Sequence, residues 1–413
     1  MPNAVYVIGT MDTKGSEVSF VADAIRKWGL SVRTVDVGTL SEPTIAPDIN
    51  RSAVLAMGPN GSASLQGPSL EGPSLEGLDR GQAVERMSLA LVEYLKKEYL
   101  DGELGGVIGL GGSGGTSLIT AALRAIPIGV PKVMVSTVAS GNIAPYVGCS
   151  DVFVCPSVVD VSGLNAVSTK ILTNAANALA GMMNGAASSH PTKPALGMTM
   201  FGVTTPCVTG VRQALEQLGY DCLVFHATGV GGQAMEGLVE SRFIEGLLDL
   251  TTTEVADEVV GGVFPAGAKR FDILATREIP CVMSVGAMDM VNFGAMSTVP
   301  EPFRTRKLHI HNSNVTLMRT TPDENRRCAQ WMVAKLQRAR GPITLLLPSH
   351  GVSALDAPGQ PFHDPEANAV LFEELERGLE GRSNIRVERV PAHINDAVFI
   401  ERAIQAFQEL RPS

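Results

Sequence analysis

The residues best suited to chemistry lie between Gly105 and Ser117, a stretch that reads Gly-Gly-Val-Ile-Gly-Leu-Gly-Gly-Ser-Gly-Gly-Thr-Ser. The apolar run at 107–110 is typical of a buried strand, and a helix is predicted from about residue 116 to 126. A strand, a glycine-rich turn and a helix start together present backbone N–H groups to a phosphate. The predicted phosphate contacts are Gly111, Gly112, Ser113, Gly114, Gly115 and Thr116. The alternative is a tight turn that packs a helix on its sheet, since the Lys-Ser/Thr ending of a P-loop is missing.

Composition narrows the class of protein. A chain of 413 residues is expected to form two or three domains. Its apolar content of 45% and its 43 glycines suit a turn-rich α/β protein. The formal charge of −9 argues against a nucleic-acid-binding protein, which needs a basic face. No apolar run reaches the roughly 18 residues of a membrane span. No signal-peptide pattern opens the chain and its cysteines form no C-x-x-C pair. A cytoplasmic protein with reduced thiols is therefore expected.

Strands and helices alternate along the chain. A strand at 4–8, a helix with apolar positions from Val18 to Trp28, and a strand at 31–37 predict a parallel β-α-β unit. Around residues 57–78 this pattern is lost, and Gly-Pro-Ser-Leu-Glu occurs twice in succession from Gly67, which predicts a mobile insertion. A polar linker is predicted near 184–194, after which the order of strand, turn and helix starts again.

The predicted fold is therefore α/β, with two doubly wound, Rossmann-like lobes, mainly parallel sheets and a ligand cleft between the lobes. The N-terminal lobe is predicted at 1–188 and the C-terminal lobe at 195–413, related by a weak internal repeat. Helices predicted at 253–260, 324–338, 366–379 and 396–410 alternate in the second lobe with strands at 282–285, 343–347 and 385–390.

Several long motifs occur in order along the chain: Gly9-Thr-Met-Asp-Thr-Lys-Gly15, the glycine stretch at 109–116, and the motifs at 136–141, 197–206, 226–229, 286–294 and 351–361. Together they resemble the motifs of the family named for a plant tomato-mosaic-virus resistance protein. The resemblance covers almost the whole chain and implies an ATP-binding module of two α/β subdomains, often dimeric. The repeat after Met57 departs from the family, and the barrel-like domain of longer relatives is not expected here.

In the first lobe, polar residues follow predicted strands at the edge where open α/β sheets bind ligands. Asp12, Thr13 and Lys14 follow the first strand, and Thr137, Ser140 and Gly141 follow the strand at 132–136. In the interpretation as a nucleotide site, Lys14 supplies positive charge to the phosphates. Asp12 holds Mg²⁺ directly or through water, because this ion prefers oxygen ligands. The alternatives are a helix N-cap at Asp12, a solvated Lys14 and a simple turn at 140–141.

In the second lobe, Asp289 and His363 are the predicted catalytic residues, an acid within an apolar segment and a histidine just before a helix. The predicted substrate contacts are Thr204, Thr205, Gly229, Gly231, Gly232 and Asn292. Glu254 and Asp364 are interpreted as helix-capping residues, since Asp364 precedes Pro365. His309 and His311 share one face of a strand without a third ligand, so no metal site is predicted there.

Two functions from different classes follow. The first is an enzyme that acts on a small phosphorylated or carboxylated metabolite, with ATP and Mg²⁺ in the cleft. The second is a nucleotide-responsive binding or regulatory protein without catalysis, favoured by the absence of familiar catalytic motifs. A homodimer without nucleic-acid or membrane partners is expected in either case.

Overall fold

Buried apolar side chains alternate between the two faces of the strands. In the first strand, Tyr6 and Ile8 belong to one core cluster, whereas Val5 and Val7 belong to another. Successive strand residues point to opposite faces, so a sheet that is apolar on both faces needs helices on both. The computed structural model, which describes residues 3–58, 75–185 and 193–411, shows this layering in two compact units, Met1–Ser189 and His190–Ser413.

The N-terminal unit is built on a five-stranded parallel sheet of order β2-β1-β3-β4-β5. One face is covered by α3 and α4, and the other by α1 and α6. The strands are β1 (Ala4–Gly9), β2 (Val32–Asp36), β3 (Leu104–Gly111), β4 (Lys132–Ser136) and β5 (Phe153–Pro156). The helices are α1 (Met11–Arg26), α2 (Arg51–Leu55), α3 (Arg80–Leu100), α4 (Ser113–Ala125), α5 (Ala144–Val147) and α6 (Ala166–Asn184).

The C-terminal unit contains a six-stranded parallel sheet of order β14-β13-β9-β8-β6-β7 and a three-stranded antiparallel sheet of order β10-β12-β11. Its strands are β6 (Ala195–Met200), β7 (Asp221–His226), β8 (Gly246–Thr251), β9 (Cys281–Gly286), β10 (Met290–Phe293), β11 (Leu308–Asn312), β12 (Val315–Arg319), β13 (Ile343–Pro348) and β14 (Ile385–Val390). Its helices are α7 (Thr205–Gln217), α8 (Val230–Glu240), α9 (Thr253–Val260), α10 (Ile273–Thr276), α11 (Pro322–Leu336), α12 (Pro365–Leu379) and α13 (Ala397–Leu410).

Both parallel sheets use one strand order. When only the strands of each parallel sheet are numbered, in chain order, each sheet runs second, first, third, fourth and fifth strand, and the C-terminal sheet adds a sixth. This shared order supports the predicted internal repeat and confirms the predicted α/β class with mainly parallel sheets. The three-stranded antiparallel sheet, whose strands follow β9 and precede β13 along the chain, was not predicted. Strand β8 was not predicted either.

Two predicted segments fall largely outside the described residues. The insertion predicted at 57–78 includes residues 59–74, and the linker predicted near 184–194 includes residues 186–192. None of the six cysteines, all of which lie in the described residues, forms a disulfide. In the described parts of the chain, no helix has the length and apolar character needed to cross a membrane.

A buried charge cluster stabilises the centre of the C-terminal unit. Arg270 is 1% exposed and its guanidinium binds Glu236 at 2.6 Å, Asp249 at 2.6 Å and Glu254. Burial raises the pKa of the Glu236 and Glu254 carboxyls, and the charge of Arg270 opposes this effect. The cluster explains why Asp249 can lie within the buried strand β8.

We expect Arg270→Met to lower the free energy of unfolding by about 3–5 kcal/mol, because three buried carboxylates would lose their cation. Arg338→Met is the matched control, since Arg338 is 60% exposed and pairs with Asp272 at the surface. Its loss should be at most about 1 kcal/mol. Denaturant unfolding of both variants measures the difference, and equal small losses would contradict a stabilising role for the cluster.

Candidate functional site

A cavity of about 210 Å³ lies in the N-terminal unit where the segments after β1 and β3 meet. Strand β1 lies between β2 and β3, so the chain runs from β1 to β2 in one direction across the sheet and crosses back over β1 to reach β3, which reverses the strand order at this point. Doubly wound sheets bind ligands at such a switch point, outside the carboxyl ends of the strands. The lining residues come from four segments: Thr10, Asp12, Thr13, Lys14, Thr39, Leu40, Arg80, Val84, Gly112, Ser113, Gly114, Gly115 and Leu118.

The glycine stretch forms the first turn of a helix rather than a separate turn before one. Helix α4 begins at Ser113 with Gly112 as its N-cap, three residues earlier than the predicted start at Thr116. In the described part of the chain, the N–H groups of Ser113, Gly114 and Gly115 have no acceptor. Such first-turn N–H groups, together with the helix dipole, attract an anion. The earlier helix start therefore places three first-turn residues, Ser113, Gly114 and Gly115, at the cavity.

The segment after β1 brings Asp12, Thr13 and Lys14 into the same cavity. Asp12 lies in the first turn of α1 and accepts hydrogen bonds from the N–H groups of Leu40 at 3.1 Å and Ser41 at 3.5 Å. It is not the N-cap, which is Thr10. Lys14 has non-helical backbone angles within α1, and its ammonium donates to the Val161 carbonyl. That partner is neutral, so the charge of Lys14 is not cancelled.

Asp36, at the end of β2, fixes the segments that carry these residues. One carboxylate oxygen accepts from the N–H groups of Met11 at 2.9 Å and Gly38 at 2.8 Å. The other oxygen is buried and has no partner in the described residues. Burial raises the pKa of Asp36 above its usual range, and the two N–H donors oppose this shift. Asp36 thus holds the start of α1 and the segment after β2 in place.

The other predicted phosphate contacts divide into two groups. Gly111 ends β3, Thr116 is buried with its hydroxyl on Ser136 at 2.7 Å, and the N–H of Thr137 donates to the Gly111 carbonyl. These three residues bond to other protein groups and do not line the cavity. Ser140 and Gly141 are exposed in a turn after β4 and do not line the cavity.

Asp289 lies in the interior of the C-terminal unit. It follows β9 and is fully buried, with one oxygen accepting from the Ser353 hydroxyl at 2.8 Å. Its other oxygen has no partner among the described residues. Ala287, two residues earlier, has a φ of 57°, which is strained for a residue with a Cβ. Because Asp289 has no exposed surface, it cannot contact a substrate in this conformation.

His363, the second predicted catalytic residue, has a different carboxylate neighbour. Its Nδ1 lies 3.9 Å from Asp356 Oδ1, and its side chain is 34% exposed. Asp356 is fully buried and accepts from the N–H of Val352 at 2.9 Å and the amide of Asn368 at 2.6 Å. Asp364 caps α12 through the N–H of Ala367, as interpreted from Asp364-Pro365.

The predicted substrate contacts of the second unit are mostly structural. Thr204 and Asn292 are fully buried; Thr204 hydrogen-bonds Thr251 at 2.7 Å, and the Asn292 N–H donates to Asp257 at 2.7 Å. Thr205 is half-buried at the start of α7.

The three glycines predicted as substrate contacts each have a protein neighbour that leaves no room for a Cβ. These neighbours are the Pro265 carbonyl for Gly229, the His226 carbonyl for Gly231, and the Glu254 and Arg270 side chains for Gly232. Glu254 lies in the first turn of α9, but its carboxylate binds Arg270 and the Gly229 N–H rather than capping the helix.

Six residues of the cavity were not predicted from the sequence: Thr10, Thr39, Leu40, Arg80, Val84 and Leu118. Arg80 begins α3, where Asp79 and Gln82 form a capping box that marks the helix start. The other five residues carried no distinct chemical signal, since only the fold brings them to the cavity. Within the described residues, no group of three or more His, Cys, Asp or Glu side chains is arranged to hold a metal.

The fold and cavity define a two-unit α/β protein with a helix N-terminus at its first switch point. The N-terminal domain of the family described as "Uncharacterised protein family (UPF0261)" matches residues 3–188, and its C-terminal domain matches residues 193–411. The chain belongs to this family.

Relatives from bacteria and plants align along the whole chain. A UPF0261 protein of Rhizobium meliloti is 49% identical over 98% of both chains, and one of Clostridium tetani is 46% identical over 97% of this chain and 96% of the relative. The ToMV resistance protein Tm-1(GCR237) of Solanum lycopersicum is 46% identical over 99% of this chain and 56% of the plant protein. These matches confirm the resemblance identified from the motifs.

The buried Asp289 predicts a pH-dependent stability. Burial raises its pKa to about 7, whereas an unfolded Asp titrates near 3.9. The folded state then binds the proton more tightly, so the free energy of unfolding should fall as pH rises from about 4 to 7 and level off above. Each unit of pKa difference corresponds to about 1.4 kcal/mol.

Asp289→Asn keeps the shape, can still accept from Ser353 and removes the titration, so its stability relative to the parent protein should increase across this pH range. Chemical denaturation between pH 4 and 8 measures this difference. The control is Asp323→Asn, since Asp323 is 73% exposed and should give a nearly constant offset. A flat difference for Asp289→Asn as well would show that this carboxyl is ionised in the folded protein.

Proposed function

We propose that the N-terminal unit binds ATP, with a phosphate group held by the first turn of α4. The observation that carries this proposal is the lack of any structural reason for three glycines of that turn. A Cβ at Gly114 would have no heavy atom within 4 Å, and at Gly112 and Gly115 the nearest atoms would be 3.8 and 3.7 Å away. None of the three has a positive φ.

Other glycines of the chain show what a structural requirement looks like. A Cβ at Gly111 would lie 2.6 Å from the Thr116 nitrogen, and one at Gly232 would overlap the buried Glu254–Arg270 pair. Glycine also weakens a helix by roughly 1 kcal/mol relative to alanine. Two glycines within a helix that has room for side chains are thus best explained by a ligand that approaches the backbone closely.

The electrostatics of the cavity suit an anion. The unbonded N–H groups of residues 113–115 lie at the positive end of α4, and Lys14 and Arg80 line the same cavity. Asp12 is the cavity's carboxylate and fits a Mg²⁺ ion carried by the nucleotide, because Mg²⁺ commonly takes one or two carboxylates together with phosphate oxygens. ATP is the nucleotide that the family resemblance implies.

The volume of the cavity limits how much of the nucleotide it encloses. Pockets that enclose whole small ligands measure about 300–1,000 Å³, whereas this cavity measures about 210 Å³. The proposed mode of binding therefore encloses the phosphate end and leaves the base nearer to solvent.

Between the two functions predicted from the sequence, the structure favours the nucleotide-binding protein. Asp289, Thr204 and Asn292 are fully buried and bind other protein groups. In this conformation none of these three residues can contact a substrate, and of the two predicted catalytic residues it is His363, 34% exposed, that a ligand can reach. Release of ADP from Mg-ATP, followed over time with the purified protein, would restore the enzyme as the better description.

Gly114→Leu tests the proposal directly. The substitution should leave the fold intact, since the space is open, but it should block the close approach of a phosphate. In the parent protein, Mg-ATP at 100 times its Kd should stabilise the folded state by about 2.7 kcal/mol. Gly114→Leu should lose this stabilisation, which is measured by thermal unfolding with increasing Mg-ATP.

Gly181→Leu is the matched control. Gly181 is an exposed glycine within α6 with no heavy atom within 4 Å of its would-be Cβ, and it does not line the cavity. This variant should keep the full response to Mg-ATP. No shift and no calorimetric heat with the parent protein at millimolar Mg-ATP would refute the proposal, as would an unchanged response of Gly114→Leu.

A further inference from the structure

Arg80 is fixed at the edge of the proposed phosphate site by the start of α3. The side chain of Asp79 accepts from the N–H of Gln82 at 2.9 Å, and the Gln82 side chain accepts from the Asp79 N–H at 3.1 Å. This capping box fixes the backbone of the first helical residue, Arg80. Val84, one turn later on the same helix, lines the same cavity, so this face of α3 borders the cavity.

The guanidinium of Arg80 has no partner among the residues that the structure describes. In the described residues it forms neither a hydrogen bond nor an ion pair, whereas Arg26, Arg33 and Arg51 of the same unit each bind a carboxylate. Lys14, the other cation of the cavity, donates to the Val161 carbonyl. Arg80 is thus the cation of the cavity that needs no bond broken before it binds a ligand.

We propose that Arg80 binds a second phosphate group of the nucleotide and so makes the site prefer a polyphosphate to a monophosphate. This inference rests on the proposed function. The first turn of α4 offers three N–H groups, enough for one phosphate, and cannot neutralise the charge of a chain of phosphates. A guanidinium presents paired N–H donors that match two phosphate oxygens, and such charge-assisted pairs are the stronger hydrogen bonds.

The test compares the affinities of ATP, ADP and AMP, each with Mg²⁺, by isothermal titration calorimetry of the full chain. Arg80→Gln should weaken ATP and ADP by about 10- to 100-fold, the effect of losing hydrogen bonds to a charged group. AMP, held by the first turn of α4 alone, should weaken by less than about threefold. Arg80→Lys keeps the charge without the paired donors and should fall between Arg80→Gln and the parent protein for ATP.

Arg86→Gln is the control on the same helix, since Arg86 does not line the cavity and should leave all three affinities unchanged. Thermal unfolding without ligand should be the same for Arg80→Gln and the parent protein, because Arg80 has no partner to lose in the described parts of the chain. ATP binding that survives Arg80→Gln within twofold overturns this inference and leaves the proposed function standing. Equal weakening of ATP and AMP overturns it too. Failure of the parent protein to bind any of the three refutes the proposed function itself.

Discussion

The order of the parallel strands constrains everything else in the N-terminal unit. Because β1 has β2 on one side and β3 on the other, the segments that leave β1 and β3 separate and open a crevice at their carboxyl ends. The Asp36 carboxylate accepts hydrogen bonds from the N–H groups of Met11 and Gly38 and so fixes two of the segments that border this crevice. The remaining space is lined by backbone N–H groups of α4 and by two cationic side chains. The proposed phosphate site thus rests on topology and on the residue types at four chain segments.

The C-terminal unit has the same strand order and a different outcome. Its third strand, β8, leads into α9, whose first turn holds Glu254 where α4 has glycine. A carboxylate at a helix N-terminus satisfies the dipole from within the protein and repels an anion. Thr204 fills the crevice further through its bond to Thr251. One architecture therefore gives an open cavity, the proposed anion site, in one unit and a filled, charge-balanced interior in the other.

Local patterns predicted most of the fold, and long-range pairing explains the rest. Strands such as β4 and β14 and helix α9 were placed correctly because their apolar runs and caps lie within a few residues of each other. Strand β8 was missed because Asp249 interrupts its apolar run, and the partner that makes burial possible, Arg270, lies 21 residues away. Asp289 was predicted to be catalytic because it is an acid in an apolar segment. Its hydroxyl partner, Ser353, is 64 residues away along the chain. Such pairs cannot be deduced from spacing along one sequence.

The role of Asp36 distinguishes the cavity of this protein from the sites that bind dinucleotides. In dinucleotide-binding folds, an acidic residue about 20 residues after the glycine motif binds the ribose hydroxyls. Asp36 ends β2 in a comparable place, but it is fully buried and its carboxylate binds the backbone of Met11 and Gly38. It is therefore not free to select a ribose. Under the proposed function, recognition begins from the phosphate groups, close to the unbonded N–H groups of residues 113–115, Lys14 and Arg80.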